Sequence, residues 1–143
     1  MKPSEKLIDL IVQSEGCKLT PYMDCGSLAI GYGHHGPEVI AGLKWTSLDA
    51  QTALQEDLEK FGHQVESLVK VSLTQGQYDA LVDFVYNLGA GRLQGSTLLK
   101  LLNQGAYSGA GQQLLRWSSV EGEPNAGLLA RRKQELALWN GEE

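Results

Sequence analysis

Between Lys18 and His34 the chain drops the helical period that governs most of its remaining length. Pro21, Gly26, Gly31 and Gly33 punctuate two short apolar pieces, Tyr22-Met23 and Leu28-Ala29-Ile30. Such spacing cannot form an amphipathic helix and reads as a small, irregular antiparallel sheet. Helical patterns lie on both sides of it. The predicted class is therefore α+β, with a small β lobe set into a mainly helical body.

Upstream, Ser4 is a natural N-cap, and Leu7, Ile8, Leu10, Ile11 and Val12 give a wide apolar stripe that Gly16 can end. Glu15 then closes this first helix, where the macrodipole disfavours negative charge. Downstream, Thr46 and Asp49 form a capping box ahead of Leu54, Leu58, Phe61, Val65 and Leu68. That helix, about 47–69, is long enough to bridge two lobes. Thr74 and Gln77 form a second box before Leu81, Val82, Val85 and Leu88, with Gly89 and Gly91 breaking the helix. Ser96 caps a short helix ending near Gly105, and Gly109 and Gly111 weaken the next. Pro124 is expected in the first turn of a last helix through Trp139. The second half is thus expected to be helical throughout. The 143 residues read as one domain: a β lobe of about 15–45, the bridging helix, and a helical lobe of about 70–143 joined by the N-terminal helix.

A formal net charge of -5 argues against a nucleic-acid partner. Two cysteines make no disulfide framework, and no Cys/His spacing suggests a metal, so no cofactor is expected. The first residues are interrupted by Glu5, Lys6 and Asp9, unlike a signal peptide, and no apolar run approaches a membrane span. The expectation is a monomer made in a cytosol, with no membrane insertion.

Glu15 and Asp24 bracket the non-helical segment. Two carboxyls in different surroundings, one to hold a proton and one ionised, are what glycosidic bond cleavage requires. Among 17 acidic residues, however, coincidental pairs are plentiful, and on spacing alone two ordinary surface acids explain the pair better. The tail "IGYGH" lacks the Lys-Ser/Thr of a phosphate loop, and His34 alone reads as a structural hydrogen-bonding group.

The combination says more. "EG" with an acid nine positions on, then "IGYGH", "FVYNLGAG", "STLLKLLNQG" and "GLLARRKQELALW" in that order resembles the phage-type lysozyme family, the endolysin muramidases of tailed bacteriophages. The resemblance runs from Leu7 to Trp139. It implies a lysozyme-like fold, a small β-containing lobe and a larger helical lobe with a cleft between them, joined by a long helix. It implies hydrolysis of the β-1,4 bond between N-acetylmuramic acid and N-acetylglucosamine in bacterial peptidoglycan. Glu15 matches the family's general acid, and Asp24 its water-orienting carboxylate. Tyr32, Asn87, Ser96, Thr97 and Arg131 match substrate-cleft positions, the alternative for Ser96 being a helix N-cap. Arg131 and Arg132 resemble the family's C-terminal arginines beside the glutamate. An arginine there opposes proton donation, so its implied job is positioning; a solvated arginine is the alternative for one of the pair. Trp45, Trp117 and Trp139 are candidates for sugar stacking, the last two with a core role as the stronger alternative. Release to the wall would need a holin or other membrane lesion.

One position departs from the pattern. The family carries a threonine before "IGYGH" whose hydroxyl helps hold the water; this chain has Ala29. The turn after Asp24 is also one residue shorter. Ser27 faces the same side of a strand as Ala29, which leaves compensation open. A weakened enzyme is one reading, and a catalytically impaired peptidoglycan-binding protein on the same fold is the other. Cys17 and Cys25, each within two residues of an acid, read as two independent thiols or as a pair formed under oxidation.

Overall fold

The Ser4 hydroxyl accepts the Leu7 N–H and starts helix α1 (Glu5–Glu15), which buries Leu7, Leu10 and Ile11. A computed structural model describes residues 1–141 of the chain. After Gly16 the backbone enters strands β1 (Lys18–Asp24), β2 (Ser27–Gly31) and β3 (His34–His35), a three-stranded antiparallel sheet in sequence order. Pro21 lies inside β1, where it has no N–H to donate, and the β1–β2 register is irregular between Lys18 and Tyr22. Cys25 (φ 50°) and Gly26 (φ 87°) make the two-residue turn between β1 and β2. Two consecutive positive φ values give the type I′ geometry that matches strand twist.

Thr46 and Asp49 cap α2 (Ser47–Leu68) with both bonds of the expected box. This helix packs on β2 and β3 at one end and on α3 (Gln75–Leu88) and α4 (Ala90–Gln94) along the rest, so it does bridge the two lobes. Thr74 and Gln77 close the second box at the start of α3. Gly89 ends α3, whereas Gly91 lies inside α4 and breaks nothing. Helix α5 (Thr97–Asn103) is capped by Ser96 and ends a residue before the position expected from Gly105. Gly111 in α6 (Tyr107–Gln113) has a packing reason: a Cβ there would stand 2.7 Å from the Trp139 ring.

The second half is not helical throughout. After a 3-10 turn at Leu114–Arg116, β4 (Ser119–Val120) and β5 (Glu123–Pro124) form a small hairpin around Glu121 and Gly122. Pro124 belongs to that hairpin, and Asn125 caps the last helix, α7 (Ala126–Trp139). The Asn125 side chain accepts the Leu128 N–H, a cap that proline cannot supply.

Buried apolar residues fall into two groups. The large one joins Leu7 and Ile11 to Leu58, Tyr78, Leu81, Phe84, Leu98, Leu102, Leu114 and Trp139 in the helical lobe. Each such side chain contributes about 1.5–3 kcal/mol on burial, so this core sets the frame. The small one, Ala29, Ile30, Val39, Ala50 and Ala53, sits where the sheet meets α2.

Candidate active site

Glu15 is the last residue of α1, and the buried stripe of that helix fixes where its side chain starts. Arg131 Nη1 lies 2.6 Å from Glu15 Oε2. The same guanidinium donates Nε and Nη2 to the two oxygens of Asp83, at 3.0 and 2.9 Å. Asp83 is fully buried on α3 and Arg131 is buried on α7, so three helices converge on one arginine. The turn after β2 closes the other side. Gly33 has φ 80°, and a Cβ there would stand 2.7 Å from Glu15 Oε1. Any side chain at position 33 would displace the carboxyl.

Asp24 occupies the end of β1, at the I′ turn. Its Oδ2 is 2.9 Å from His35 Nε2, and His35 Nδ1 is 2.9 Å from Ser27 Oγ. The charge of Asp24 beside it, then partial burial, pushes the Cys25 thiol up. Burial pushes the Tyr22 hydroxyl up, and the charges of Glu15 and Asp24 add to that. Tyr22 therefore lies within electrostatic reach of both carboxyls.

A cleft of about 1050 Å³ runs past this region, lined among others by Ser14, Cys25, Asn87, Arg92, Asn125 and Arg131. A smaller cavity of about 590 Å³ between α1 and α7, lined by Leu10, Ala137 and Leu138, touches none of the predicted site residues. Of the predicted residues, Asn87 and Arg131 line the cleft. Tyr32 is half-buried, and its carbonyl accepts the Tyr86 hydroxyl. Ser96 and Thr97 do not line the cleft. The Ser96 hydroxyl is buried, donates to the Leu93 carbonyl and accepts the Leu99 N–H, which is the N-cap alternative. Ala29 has no exposed surface. Trp45 packs within the β lobe, its ring 5.5 Å from that of His34. Trp117 meets Phe84 edge-on, and Trp139 is buried with its indole N–H on the Tyr107 carbonyl. Cys17 and Cys25 are exposed free thiols.

Neither arginine of the pair is solvated. Arg132 is fully buried, with Nη2 donating to Asn87 Oδ1 at 2.8 Å and to Glu135 Oε2 at 2.9 Å. Glu135 and Asp83 each act on the other's titration across the interior. Arg131 ties Glu15 to Asp83, and Arg132 ties Glu135 to Asn87. The sequence reading missed Asp83 and Glu135 here, and His35 at the other carboxyl. The only signal for the first two was a charged residue inside the apolar runs "LVDFVY" and "QELALW".

Residues 12–135 match the family model described as phage lysozyme. An endolysin of Bacillus phage PZA is 39% identical over 98% of this chain; the chain spans 55% of that relative's length. An endolysin of Acyrthosiphon pisum secondary endosymbiont phage 1 is 40% identical, covering 97% of this chain and 98% of its own. Among solved structures, a P22 lysozyme mutant is 34% identical with a TM-score of 0.83, covering 98% of this chain and 99% of that one. The muramidase domain of SpmX from Asticaccaulis excentricus is 33% identical with a TM-score of 0.87, covering 96% and 97%. The fold is lysozyme-like, and the chain belongs to the phage lysozyme family.

Proposed function

We propose that the chain is an endolysin muramidase that hydrolyses the β-1,4 bond between N-acetylmuramic acid and N-acetylglucosamine in bacterial peptidoglycan. The reading is carried by one observation: Arg131, which lines the cleft, fixes the Glu15 carboxyl at a helix end, and Cys25, which lines the same cleft, adjoins a second carboxyl, Asp24, on a hairpin turn. Glu15 is the general acid for the leaving oxygen. Asp24 orients and activates the attacking water, an inverting arrangement that requires carboxyls about 6.5–9.5 Å apart. Arg131 holds the Glu15 carboxyl at 2.6 Å, and its role is to tether it. A sugar chain in the cleft excludes water from the reacting bond. Asn87 has its Oδ1 engaged by Arg132, which leaves the amide N–H groups to meet an N-acetyl carbonyl.

The chain acts as a single domain and a monomer, made in the host cytoplasm and reaching the wall through a holin-type lesion. Turbidity of purified cell walls is the test. Clearing that Glu15→Gln abolishes supports the enzyme. No clearing with retained wall pull-down means a binding protein on the same fold, and loss of both means a role without saccharide.

A further inference from the structure

The sheet register sets up one surface. Tyr22 pairs with Ala29, Ala29 pairs with His35, and Asp24 pairs with Ser27. Paired residues, and residues two apart on a strand, project on the same face. Tyr22, Asp24, Ser27, Ala29 and His35 therefore share a face across all three strands. To reach Asp24 on β1, His35 on β3 must lean over β2, and the residue it is paired with there is alanine. A small side chain at 29 leaves the imidazole that path.

The imidazole is committed on both sides. Nε2 meets the Asp24 carboxylate and Nδ1 meets the Ser27 hydroxyl, each at 2.9 Å. With the ring neutral and its proton on Nε2, it donates to Asp24 and accepts from Ser27. As imidazolium it donates to both. In either state Asp24 Oδ2 receives an N–H, and Ser27 fixes the ring that supplies it. The carboxylate needs this tie. It sits at a two-residue turn with its side chain 39% exposed, and His35 is 42% exposed. Without a partner such a carboxylate samples several rotamers.

We propose that His35, braced by Ser27, is a positioning residue that sets the orientation of the Asp24 carboxylate toward the attacking water. The proposal rests on the muramidase reading above. Ala29 supplies no hydroxyl to the site, and the Ser27–His35 pair holds the carboxylate by a different route. The sequence reading considered Ser27 only as a direct water ligand. Here its hydroxyl acts through the imidazole.

The test uses the intact chain, dye-labelled purified peptidoglycan as substrate, and kcat and KM measured separately. His35→Ala is expected to lower kcat about ten- to a hundredfold with KM within about twofold, because misplacement by an ångström carries a penalty of that order. His35→Gln places an amide N–H near the former Nε2 and is expected to recover most of the loss. Ser27→Ala loses less than His35→Ala. In an Asp24→Asn background, His35→Ala is expected to add nothing. Thermal unfolding of each variant separates misfolding from misplacement, and a variant that fails to fold passes the question to His35→Gln and Ser27→Ala. Full kcat in His35→Ala, or an undiminished effect in the Asp24→Asn background, overturns the positioning role while leaving the enzyme reading intact. Wild-type kcat in Asp24→Asn, or a wild-type chain that releases no dye, ends that reading and this proposal together.

Discussion

Glu135 on α7 and Asp83 on α3 meet in the interior with no exposed surface on either, and each shifts the other's titration. Two carboxyls in that position cannot both be ionised, so one holds a proton. Burial, then the hydrogen bond and charge of Asp83, push Glu135 well above its ordinary range. Burial also pushes Asp83 up, but the hydrogen bonds from Glu135 and Arg131 outweigh it and leave Asp83 below its ordinary value. The proton therefore belongs to Glu135. Its Oε1 lies 2.9 Å from Arg132 Nε but outside hydrogen-bonding geometry, whereas Asp83 receives two well-formed bonds from Arg131. With Glu135 neutral, Glu15 and Asp83 balance Arg131 and Arg132.

Glu135→Gln imitates the protonated acid and is expected to leave stability within about 1 kcal/mol below pH 4.5, where the acid is neutral in both folded and unfolded chains. The two differ with pH. An unfolded glutamate loses its proton near 4.5, while the folded Glu135 keeps it, so this group lowers stability as pH rises above 4.5 toward the raised value. Tm measured across that range should fall less in Glu135→Gln than in the wild type. Equal slopes would mean Glu135 is ionised in the folded chain.

Asp83→Asn removes the charge that faces Arg131 in the interior. Breaking a buried pair by one partner typically costs about 3–5 kcal/mol, and a loss of that size is expected in denaturant unfolding. Asp83 has the opposite linkage to Glu135. Its stabilisation is present above its ordinary 3.8 and disappears as pH falls through the lower folded value. The variant should therefore be less acid-sensitive than the wild type.

Arg131→Lys keeps the charge but loses the fork that serves Asp83 and Glu15 at once. One ammonium cannot reproduce three directed N–H bonds. The expected outcome is a loss of about 1–3 kcal/mol in stability, as buried acceptors go unmet. Wall clearing should fall at least tenfold, as Glu15 loses its tether. Clearing at the wild-type rate would show that Glu15 needs no such tether.

His34 lies between Asp57, 2.7 Å from Nδ1, and Glu38, close to Nε2. Burial pushes its pKa down, but the hydrogen bonds to Glu38 and Asp57 outweigh this and raise it above 6.5. Such a group stabilises fully below 6.5, and its contribution is lost as pH rises through the raised value. Burial pushes Asp57 up as well, and its window opens at its ordinary 3.8, whereas that of His34 opens at 6.5. His34→Gln should flatten the fall in Tm above pH 6.5 and cost about 1–3 kcal/mol below it. A wild-type Tm independent of pH there would mean that His34 is neutral throughout.

The helices were legible because capping residues and apolar stripes act within a few positions: Ser4, Thr46, Thr74 and Ser96 all cap where the sequence places them. Pro124 misled because a proline suits a hairpin edge as well as a first helical turn, and Glu121-Gly122 was the turn signal passed over. Spacing alone left Glu15 and Asp24 as ordinary surface acids, and the downstream motifs singled them out. Arg131, 116 residues from Glu15, entered only through the resemblance, and Asp83, 48 residues from Arg131, was missed. A charged residue in an apolar run announces a buried partner without naming it. His35 escaped for another reason: its reach to Asp24 depends on strand register and on the small residue between.

That dependence gives the last prediction. Ala29 is fully buried beside Tyr22 and His35, its partners on either side. Threonine there adds two heavy atoms to a surface that has no free space, at about 1–3 kcal/mol for overpacking. The same atoms stand in the path that His35 takes to Asp24. If this site depended on a missing hydroxyl, Ala29→Thr would raise the clearing rate by tenfold or more. If Asp24 is held by His35, the substitution brings no gain and lowers the rate several-fold as the imidazole is pushed aside. Combining it with His35→Ala separates the two, since the contact can be lost only once: in that background Ala29→Thr should cost little more, and a large gain there would restore the case for a hydroxyl at position 29.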